Sequence, residues 1–485
     1  MKLKELIRDL TILETTADPE QEITGVAYDS RLVEKGNLFV AVKGFASDGH
    51  RFIPKALEKG AAAILCQDAP GEGVPFLRVA DTRLGLALVS RAFFGDPASK
   101  MCMIGFTGTN GKTTSSYLMK HLLEETLGAR VGLIGTNGIM IGQEFLPSER
   151  TTPESYELHS LFRRMLDAGC THVVMEVSSH SLSLERVAGI TFDVGLFTNL
   201  TQDHLDFHGS MEEYAAAKRK LFGQCRVGCF NLDDPWAPYM MEGAACRCLG
   251  YSAQSNDADL VAKDVRLSAD GVRFAAVTGE GLCLTRLGIP GMFSVHNALG
   301  VLTAGIALGI SLEDCCRAMD TAKGVKGRVE VVPTGRDFSV LIDYAHTPDA
   351  LENVLVTLRD VTRGRLIVLF GCGGDRDALK RPIMGRIAAE NADLCVVTSD
   401  NPRTEDPQAI IDDILAGMKN SRTPTKVIVD RPKAIAWAID NARPGDVILL
   451  AGKGHEDYQI IGHEKHHMDE REIVADWLKE RKERR

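Results

Sequence analysis

The stretch Met101-Cys102-Met103-Ile104-Gly105-Phe106-Thr107-Gly108-Thr109-Asn110-Gly111-Lys112-Thr113-Thr114 decides the fold. Its apolar opening, Met101 to Phe106, has the length of a buried strand. A glycine-rich turn follows, and then a helical pattern from Lys112 to Leu127. Strand, turn and helix in this order make a phosphate cradle. Glycines let backbone N–H groups close round phosphate oxygens, and the helix N-terminus adds positive potential. Lys112 is placed to neutralise β/γ-phosphate charge and Thr113 to ligate Mg2+. Where such loops usually carry their first glycine, this chain has Phe106; the nearest glycines are Gly105 and Gly108.

Outward from that loop, strand-like runs recur at Arg130 to Ile134, His172 to Val177, Val194 to Asn199 and Val227 to Asn231, with helical patterns between them. Such alternation predicts a mostly parallel sheet covered by helices. From Asp259 to Leu287 the pattern becomes β-rich. After Gly327-Arg328 a second alternation begins: strands Val340 to Tyr344, Leu366 to Phe370, Leu394 to Thr398, Lys426 to Val429 and Val447 to Leu450, each followed by a helical pattern. This predicts a Rossmann-like, doubly wound domain. The first hundred residues mix short strands with helices and end at the breaker cluster Gly95-Asp96-Pro97. The expected architecture is α/β in three domains. These are an N-terminal α/β domain (1–98), a central P-loop-type domain with a mostly parallel sheet (99–327) and a C-terminal doubly wound domain (328–485).

Composition narrows the function classes. A chain of 485 residues exceeds one core, so about two to four domains are expected. The formal net charge of -10 argues against general nucleic-acid or anionic-membrane binding. The N-terminal MKLKELIRDL is a short amphipathic helix pattern without the apolar core of a signal peptide, and the longest apolar runs are strand-length. A cytoplasmic protein without membrane insertion is expected. The 12 cysteines contain no CxxC pair and read as reduced thiols. His463, His466 and His467 lack the companion ligands of a metal site and read as surface residues.

Two polar clusters end strands beside the phosphate loop: Glu176-Val177-Ser178-Ser179-His180 and Asn199-Leu200-Thr201-Gln202-Asp203-His204-Leu205-Asp206. Carboxylate and imidazole groups there can hold metal ions facing a nucleotide.

With the Gly-Thr-Asn-Gly-Lys-Thr-Thr loop, these clusters resemble the Mur ligases and the related folylpolyglutamate synthetases. Matching pieces run along almost the whole chain. They are Asp29-Ser30-Arg31, Thr151-Thr152-Pro153, His296-Asn297-Ala298, Gly327-Arg328, Tyr344-Ala345-His346-Thr347-Pro348-Asp349, Gly371-Cys372-Gly373-Gly374-Asp375-Arg376, Asp400-Asn401-Pro402-Arg403 and Gly452-Lys453-Gly454-His455-Glu456.

The resemblance implies an ATP- and Mg2+-dependent ligase of peptidoglycan precursor synthesis. It would add meso-diaminopimelate to the D-Glu of UDP-N-acetylmuramoyl-L-Ala-D-Glu through an acyl phosphate, as a monomer. It implies ATP contacts at Gly108, Thr109, Asn110, Gly111, Lys112, Thr113, Thr114, Asn297, Arg328, Asp343 and His346. Ser30 and the turn Phe45-Ala46-Ser47 would meet the UDP part. Thr151, Thr152, Ser178 and Arg186 would hold the muramoyl peptide, with Leu184 where diaminopimelate-adding members often have Gln. Thr113, Glu176, His204 and Lys218 would serve the metal, Lys218 as a CO2-derived carbamate. Catalysis would rest on Lys112, Lys218, His204 and Arg328.

Diaminopimelate would meet Arg376, Asp400, Asn401, Pro402, Arg403, Gly452 and Glu456. The physics supports this placing, because a guanidinium fork suits the distal carboxylate that lysine lacks. Ligation of L-lysine, a folylpolyglutamate synthetase, and a non-catalytic ATP-binding scaffold are the alternatives.

Overall fold

Strands buried on both faces must be apolar throughout, and this is how the central strands of the chain are built. The computed structural model describes residues 1–44, 47–148 and 150–483. Its contacts divide the chain into two units, Met1–Leu260 with Gly300–Cys315, and Val261–Leu299 with Cys316–Arg485.

The first unit holds two sheets. The smaller is formed by β1 (Glu14–Thr15), β2 (Gly25–Ala27), β3 (Asn37–Val40), β4 (Ala63–Cys66) and β5 (Phe76–Arg78), in the order β1-β5-β4-β3-β2. Only β1 runs antiparallel. Helix Thr82–Phe93 covers one face. Asp81 caps it by accepting the N–H groups of Arg83 and Leu84, and Leu86 and Val89 join Leu38, Val40 and Leu65 in one core.

The larger sheet comprises β6 (Cys102–Thr107), β7 (Val131–Gly135), β8 (Gly138–Ile141), β9 (Glu144–Leu146), β10 (His172–Glu176), β11 (Phe192–Phe197), β12 (Cys225–Asn231) and β13 (Arg247–Ser252). Their order is β13-β12-β11-β6-β10-β7-β8-β9, parallel from β13 to β7, with β8 and β9 added as antiparallel edge strands. The loop-bearing strand β6 therefore lies between two later strands, β10 and β11. That is a topological switch point, where the loops after neighbouring strands part to leave a crevice. The two sheets are tied by Tyr28, whose hydroxyl donates to Glu157 Oε1 at 2.8 Å on helix Ser155–Asp167.

In the second unit, β14 (Leu260–Ser268), β15 (Gly271–Thr278) and β16 (Gly281–Leu287) form the expected β-rich segment, an antiparallel meander. Then come β17 (Glu330–Val332), β18 (Ser339–Asp343), β19 (Leu366–Phe370), β20 (Leu394–Val397), β21 (Thr425–Val427) and β22 (Val447–Ala451). They assemble as β17-β18-β22-β19-β20-β21, parallel except for β17. This is the doubly wound sheet expected from the alternation. Two strands end one residue earlier than their sequence pattern, because Tyr344 and Thr398 already turn into the loops at the carboxyl edge.

The hairpin β23 (Tyr458–Ile461) and β24 (Glu464–His467) follows β22. His466 and His467 are exposed on it, and His467 pairs with Glu472. All 12 cysteines are free thiols. Among the described residues, no helix is long and apolar enough to cross a membrane.

Candidate active site

The register of the large sheet brings the predicted clusters together. Phe106 pairs with Glu176 across β6 and β10, and Thr107 with Phe197 across β6 and β11. The loop after β6 thus lies between Val177-Ser178 and Thr198-Asn199. Thr109 N donates to Asn199 O (2.9 Å), Asn110 N to Asn199 Oδ1 (2.9 Å) and Thr198 Oγ1 to Asn110 O (2.6 Å). Gly108 has φ +149°, and a Cβ there would lie 1.9 Å from Thr198 Oγ1. Only glycine lets the loop approach so closely. Gly111, also at positive φ, precedes the first turn of helix Lys112–Leu127, in which Thr113 and Thr114 are buried.

Two lysines meet at this loop. Lys112 Nζ donates to Gly108 O (2.8 Å) and Thr109 O (2.9 Å), and Lys218 Nζ reaches the same Gly108 O at 2.8 Å. Lys218 lies on helix Met211–Arg219 with 1% of its surface exposed, its ammonium 4.5 Å from the centre of the Tyr214 ring. Burial, reinforced by the charge of Lys112, holds its amine well below the ordinary lysine range; Asp203 pulls the other way. The neutral amine needed to add CO2 is thereby favoured. Lys220, its neighbour on the chain, instead pairs with Glu185.

Glu176 is fully buried at the end of β10, and its two oxygens accept from Thr136 N (2.9 Å) and Thr136 Oγ1 (3.1 Å). Thr136 Oγ1 also meets Thr151 Oγ1 at 3.0 Å. Thr152 Oγ1 donates to Glu176 O (2.8 Å) and accepts from Ser178 N (3.2 Å), while Arg186 donates to Thr152 O and pairs with Glu154. Thr151, Thr152, Ser178 and Arg186, distant in sequence, therefore form one constellation. Leu184 ends the short helix Ser179–Ser183 before it. Ser30 is buried beside the Asp29–Arg31 ion pair, and Ser47 is exposed. Phe45 and Ala46 lie outside the described residues.

His204 adopts a left-handed backbone (φ 52°), with its ring 4.9 Å from that of His180; His208 follows at 5.5 Å from His180 and donates to or accepts from Ser179. Burial pushes the His208 imidazole down to about 4 and lowers His180 as well. Among the described residues, no three His, Cys, Asp or Glu side chains converge as a metal cage. Mg2+ bound with a nucleotide needs only one or two protein oxygens, the rest coming from phosphate and water. The Glu176 carboxylate and the Thr113 hydroxyl, both beside the phosphate loop, are oxygen donors of that kind, whereas the His204 imidazole is a softer donor.

The second unit gathers its polar residues at the carboxyl edge of its own sheet. Asp343 ends β18, and its carboxylate accepts from Val329 N and Ala345 N, each at 2.8 Å. Burial raises its pKa, against the pull of Arg328. The Tyr344 ring carries Arg328 at 5.5 Å, His346 at 4.6 Å and His455 at 4.9 Å. Gly327 packs so tightly on Gly454 that a Cβ would lie 2.2 Å from its carbonyl carbon. Asn297 is buried on helix Met292–Ala307.

Beyond β22, Lys453 is fully buried. Its Nζ donates to Asn401 Oδ1 and Glu456 Oε2, each at 2.8 Å, and lies 3.8 Å from Asp400 Oδ1. Asn401 Nδ2 donates to the same Glu456 oxygen at 3.0 Å. Gly452 leaves room for Asp400, since a Cβ there would sit 2.6 Å from Oδ2. Pro402 precedes Arg403, which has φ +53° and donates from Nη1 to Gly374 O at 2.8 Å. Arg376 is exposed and bonds the carbonyl of Asp375. The four loops after β18, β22, β19 and β20 thus form one rim.

Three family descriptions match the chain. They are the Mur ligase family catalytic domain over residues 22–93, the Mur ligase middle domain over 106–305, and the Mur ligase glutamate ligase domain over 327–454. The chain belongs to the Mur ligase family. Two similar relatives are named UDP-N-acetylmuramoyl-L-alanyl-D-glutamate–2,6-diaminopimelate ligase. That of Clostridioides difficile (strain 630) is 46% identical over 484 residues, 99% of each chain. That of Caldanaerobacter subterraneus subsp. tengcongensis is 46% identical over 483 residues, again 99% of each. A solved structure bearing the same name aligns over 99% of both chains with 33% identity and a TM-score of 0.77.

For a Mur ligase, several supporting residues escaped the sequence reading. Asn199 braces the phosphate loop from β11, Tyr214 walls the Lys218 amine, and Lys453 fixes Asn401 and Glu456. Two buried arginines hold the rim. Arg381 pairs with Glu405 and Asp413, and Arg431 pairs with Glu470 and donates to Ala451 O. Lys453 and Asn199 stood inside quoted motifs, but nothing in the sequence marks a lysine as buried. Arg381 and Arg431 carried no motif signal at all.

Proposed function

We propose that the chain joins meso-diaminopimelate to the D-glutamyl carboxylate of UDP-N-acetylmuramoyl-L-Ala-D-Glu at the expense of ATP. The observation that carries the substrate choice is the Asp400–Arg403 turn beside Gly452–Glu456. A cation at Arg403 and an anion at Glu456 share one rim, as a distal carboxylate and amine would require. The full-length likeness to enzymes named for that reaction supports the same reading.

The substrate carboxylate attacks the γ-phosphorus, and ADP leaves with the bridging electron pair. The resulting acyl phosphate is attacked by the amine, and inorganic phosphate leaves. Phosphoryl transfer asks chiefly for positioning and charge neutralisation. The N–H groups of Gly108 to Thr114 and the Lys112 ammonium cradle the phosphates. Asn297, Arg328, Asp343 and His346 contact the nucleotide. Thr113, Glu176, His204 and Lys218 as a carbamate would hold Mg2+, which neutralises charge on the phosphates.

Ser30, Phe45, Ala46 and Ser47 meet the UDP part, and Thr151, Thr152, Ser178 and Arg186 the muramoyl peptide. Arg376 and Arg403 take the diaminopimelate carboxylates, with Asp400, Asn401, Pro402, Gly452 and Glu456 around its amine. The three-domain division at 98/99 and 327/328 follows these roles. The enzyme works in the cytoplasm as a monomer.

The test is phosphate release with ATP, Mg2+ and the muramoyl dipeptide substrate, comparing meso-diaminopimelate with L-lysine. Turnover confined to diaminopimelate is expected. Turnover with lysine instead would sink the specificity, and silence with both would sink the ligase reading.

A further inference from the structure

The ligation needs a group that the roles above do not supply. An amine that adds to an acyl carbon becomes a cation, and it must lose a proton for the amide to form. We propose that His455 is the general base that takes this proton, an assignment that rests on the ligase reading above.

His455 immediately precedes Glu456, the residue read as receiving the amino group. Its ring packs on Tyr344, whose ring also carries Arg328 and His346, both read as nucleotide contacts. One imidazole therefore shares a turn with the amine-binding group and an aromatic platform with the ATP-binding groups.

His455 Nδ1 is buried without a hydrogen-bond partner among the described residues. Buried polar atoms in native folds are nearly always paired, so an orphan beside a reactive rim points to a partner that arrives with substrate. The other histidines differ. His346 Nδ1 is committed to Tyr344 O at 2.8 Å, and His208 is committed to Ser179 at 2.9 Å. His159 has both nitrogens unpaired, but it lies fully buried against Phe162.

The charged groups that act on His455 are Glu456, Arg328, Lys326 and Arg471. Arg471 is itself paired with Glu330 and Asp469, and Lys326 with Asp469. Burial and the three cations hold the ring below its ordinary range, with Glu456 opposing. The imidazole is neutral at neutral pH, so its lone pair is available.

The step balances. The amine lone pair forms the C–N bond as the carbonyl π pair moves onto oxygen. The N–H proton passes to a ring nitrogen of His455. The carbonyl re-forms, and the C–O bond to phosphorus breaks with its pair to release inorganic phosphate. The imidazolium then returns its proton to solvent.

The experiment compares His455→Gln with the wild-type enzyme using two nucleophiles, meso-diaminopimelate and hydroxylamine. Hydroxylamine is largely neutral at pH 7 and traps acyl phosphate as a hydroxamate without a base. The variant should lose roughly 100-fold or more in kcat with diaminopimelate. Its KM and its hydroxamate rate should stay unchanged, and its kcat should climb with pH where the wild-type profile has levelled. In His455→Ala, added imidazole should restore amide formation. Retention of kcat, or an equal loss of hydroxamate formation, would overturn the assignment. Silence of the wild-type protein with both nucleophiles would overturn the ligase reading and the base with it.

Discussion

Lys112 and Lys218 donate to one and the same acceptor, the carbonyl oxygen of Gly108, each at 2.8 Å. Two ammonium groups on one carbonyl repel each other, and the buried member yields first. Lys218 is that member, and its amine is driven towards the neutral form. With 13C-labelled bicarbonate, a carbamate carbon signal is expected in the wild-type protein and absent from Lys218→Arg. Activity of Lys218→Ala should fall roughly 100-fold, the scale of losing one charge-stabilising group at a reaction centre.

The same shift has a stability consequence. In the folded state Lys218 binds its proton less tightly than in the unfolded state. Its burial therefore costs most at low pH, and the cost fades as pH rises from the depressed value to the ordinary lysine range. Lys218→Met should raise the melting temperature at pH 7, and the gain should shrink towards pH 10. A gain that grows with pH in CO2-free buffer would contradict this.

Lys453 is fully buried between Asn401 and Glu456. Removing one partner of such a pair strands the other, at a cost of about 3–5 kcal/mol. Lys453→Met should lose stability on that scale and raise KM for diaminopimelate, with KM for ATP unchanged. The double variant with Glu456→Leu should be less destabilised than the sum of the single changes in denaturant unfolding.

Arg403 is held by Gly374 O on one Nη and by left-handed backbone. Arg403→Ala should lower kcat/KM for meso-diaminopimelate by about 2–5 kcal/mol of transition-state free energy. L-Lysine should change little, so the ratio of the two kcat/KM values is the readout. A parallel fall for both amino acids would make Arg403 a structural residue only.

His159 is fully buried with neither ring nitrogen paired among the described residues, and burial pushes it down to about 3. Its unfolded form takes up a proton near 6.5 and its folded form near 3, so stability should fall as pH drops through that window. The loss amounts to a few kcal/mol, at roughly 1.4 kcal/mol per pH unit. His159→Phe should flatten the dependence of melting temperature on pH between 6.5 and 3.

Much of this protein was legible in local pattern. The phosphate loop, the apolar strands on either side of it and the alternation after Arg328 state their structure within a few residues, because backbone geometry and burial on both faces constrain each short run directly. Leu366–Phe370 is found with the bounds its pattern predicts. The motifs at strand ends were likewise readable, since parallel sheets deliver such residues to one edge.

What the sequence by itself could not determine is which side chains are buried together. Lys218 reads as a solvated lysine on an amphipathic helix until the fold places it against Gly108 and Tyr214. Lys453 reads as a loop lysine until β22 and the turn after β20 close over it. Arg381 and Arg431 look like surface arginines on helices, yet they brace the rim from inside. Local pattern decided the strands, the helices and the chemistry-bearing loops. Tertiary structure decided the protonation tendency of Lys218 and the pairing of Lys453 with Asn401, because Gly108 and Asn401 lie more than 50 residues away in the chain from the lysines they meet.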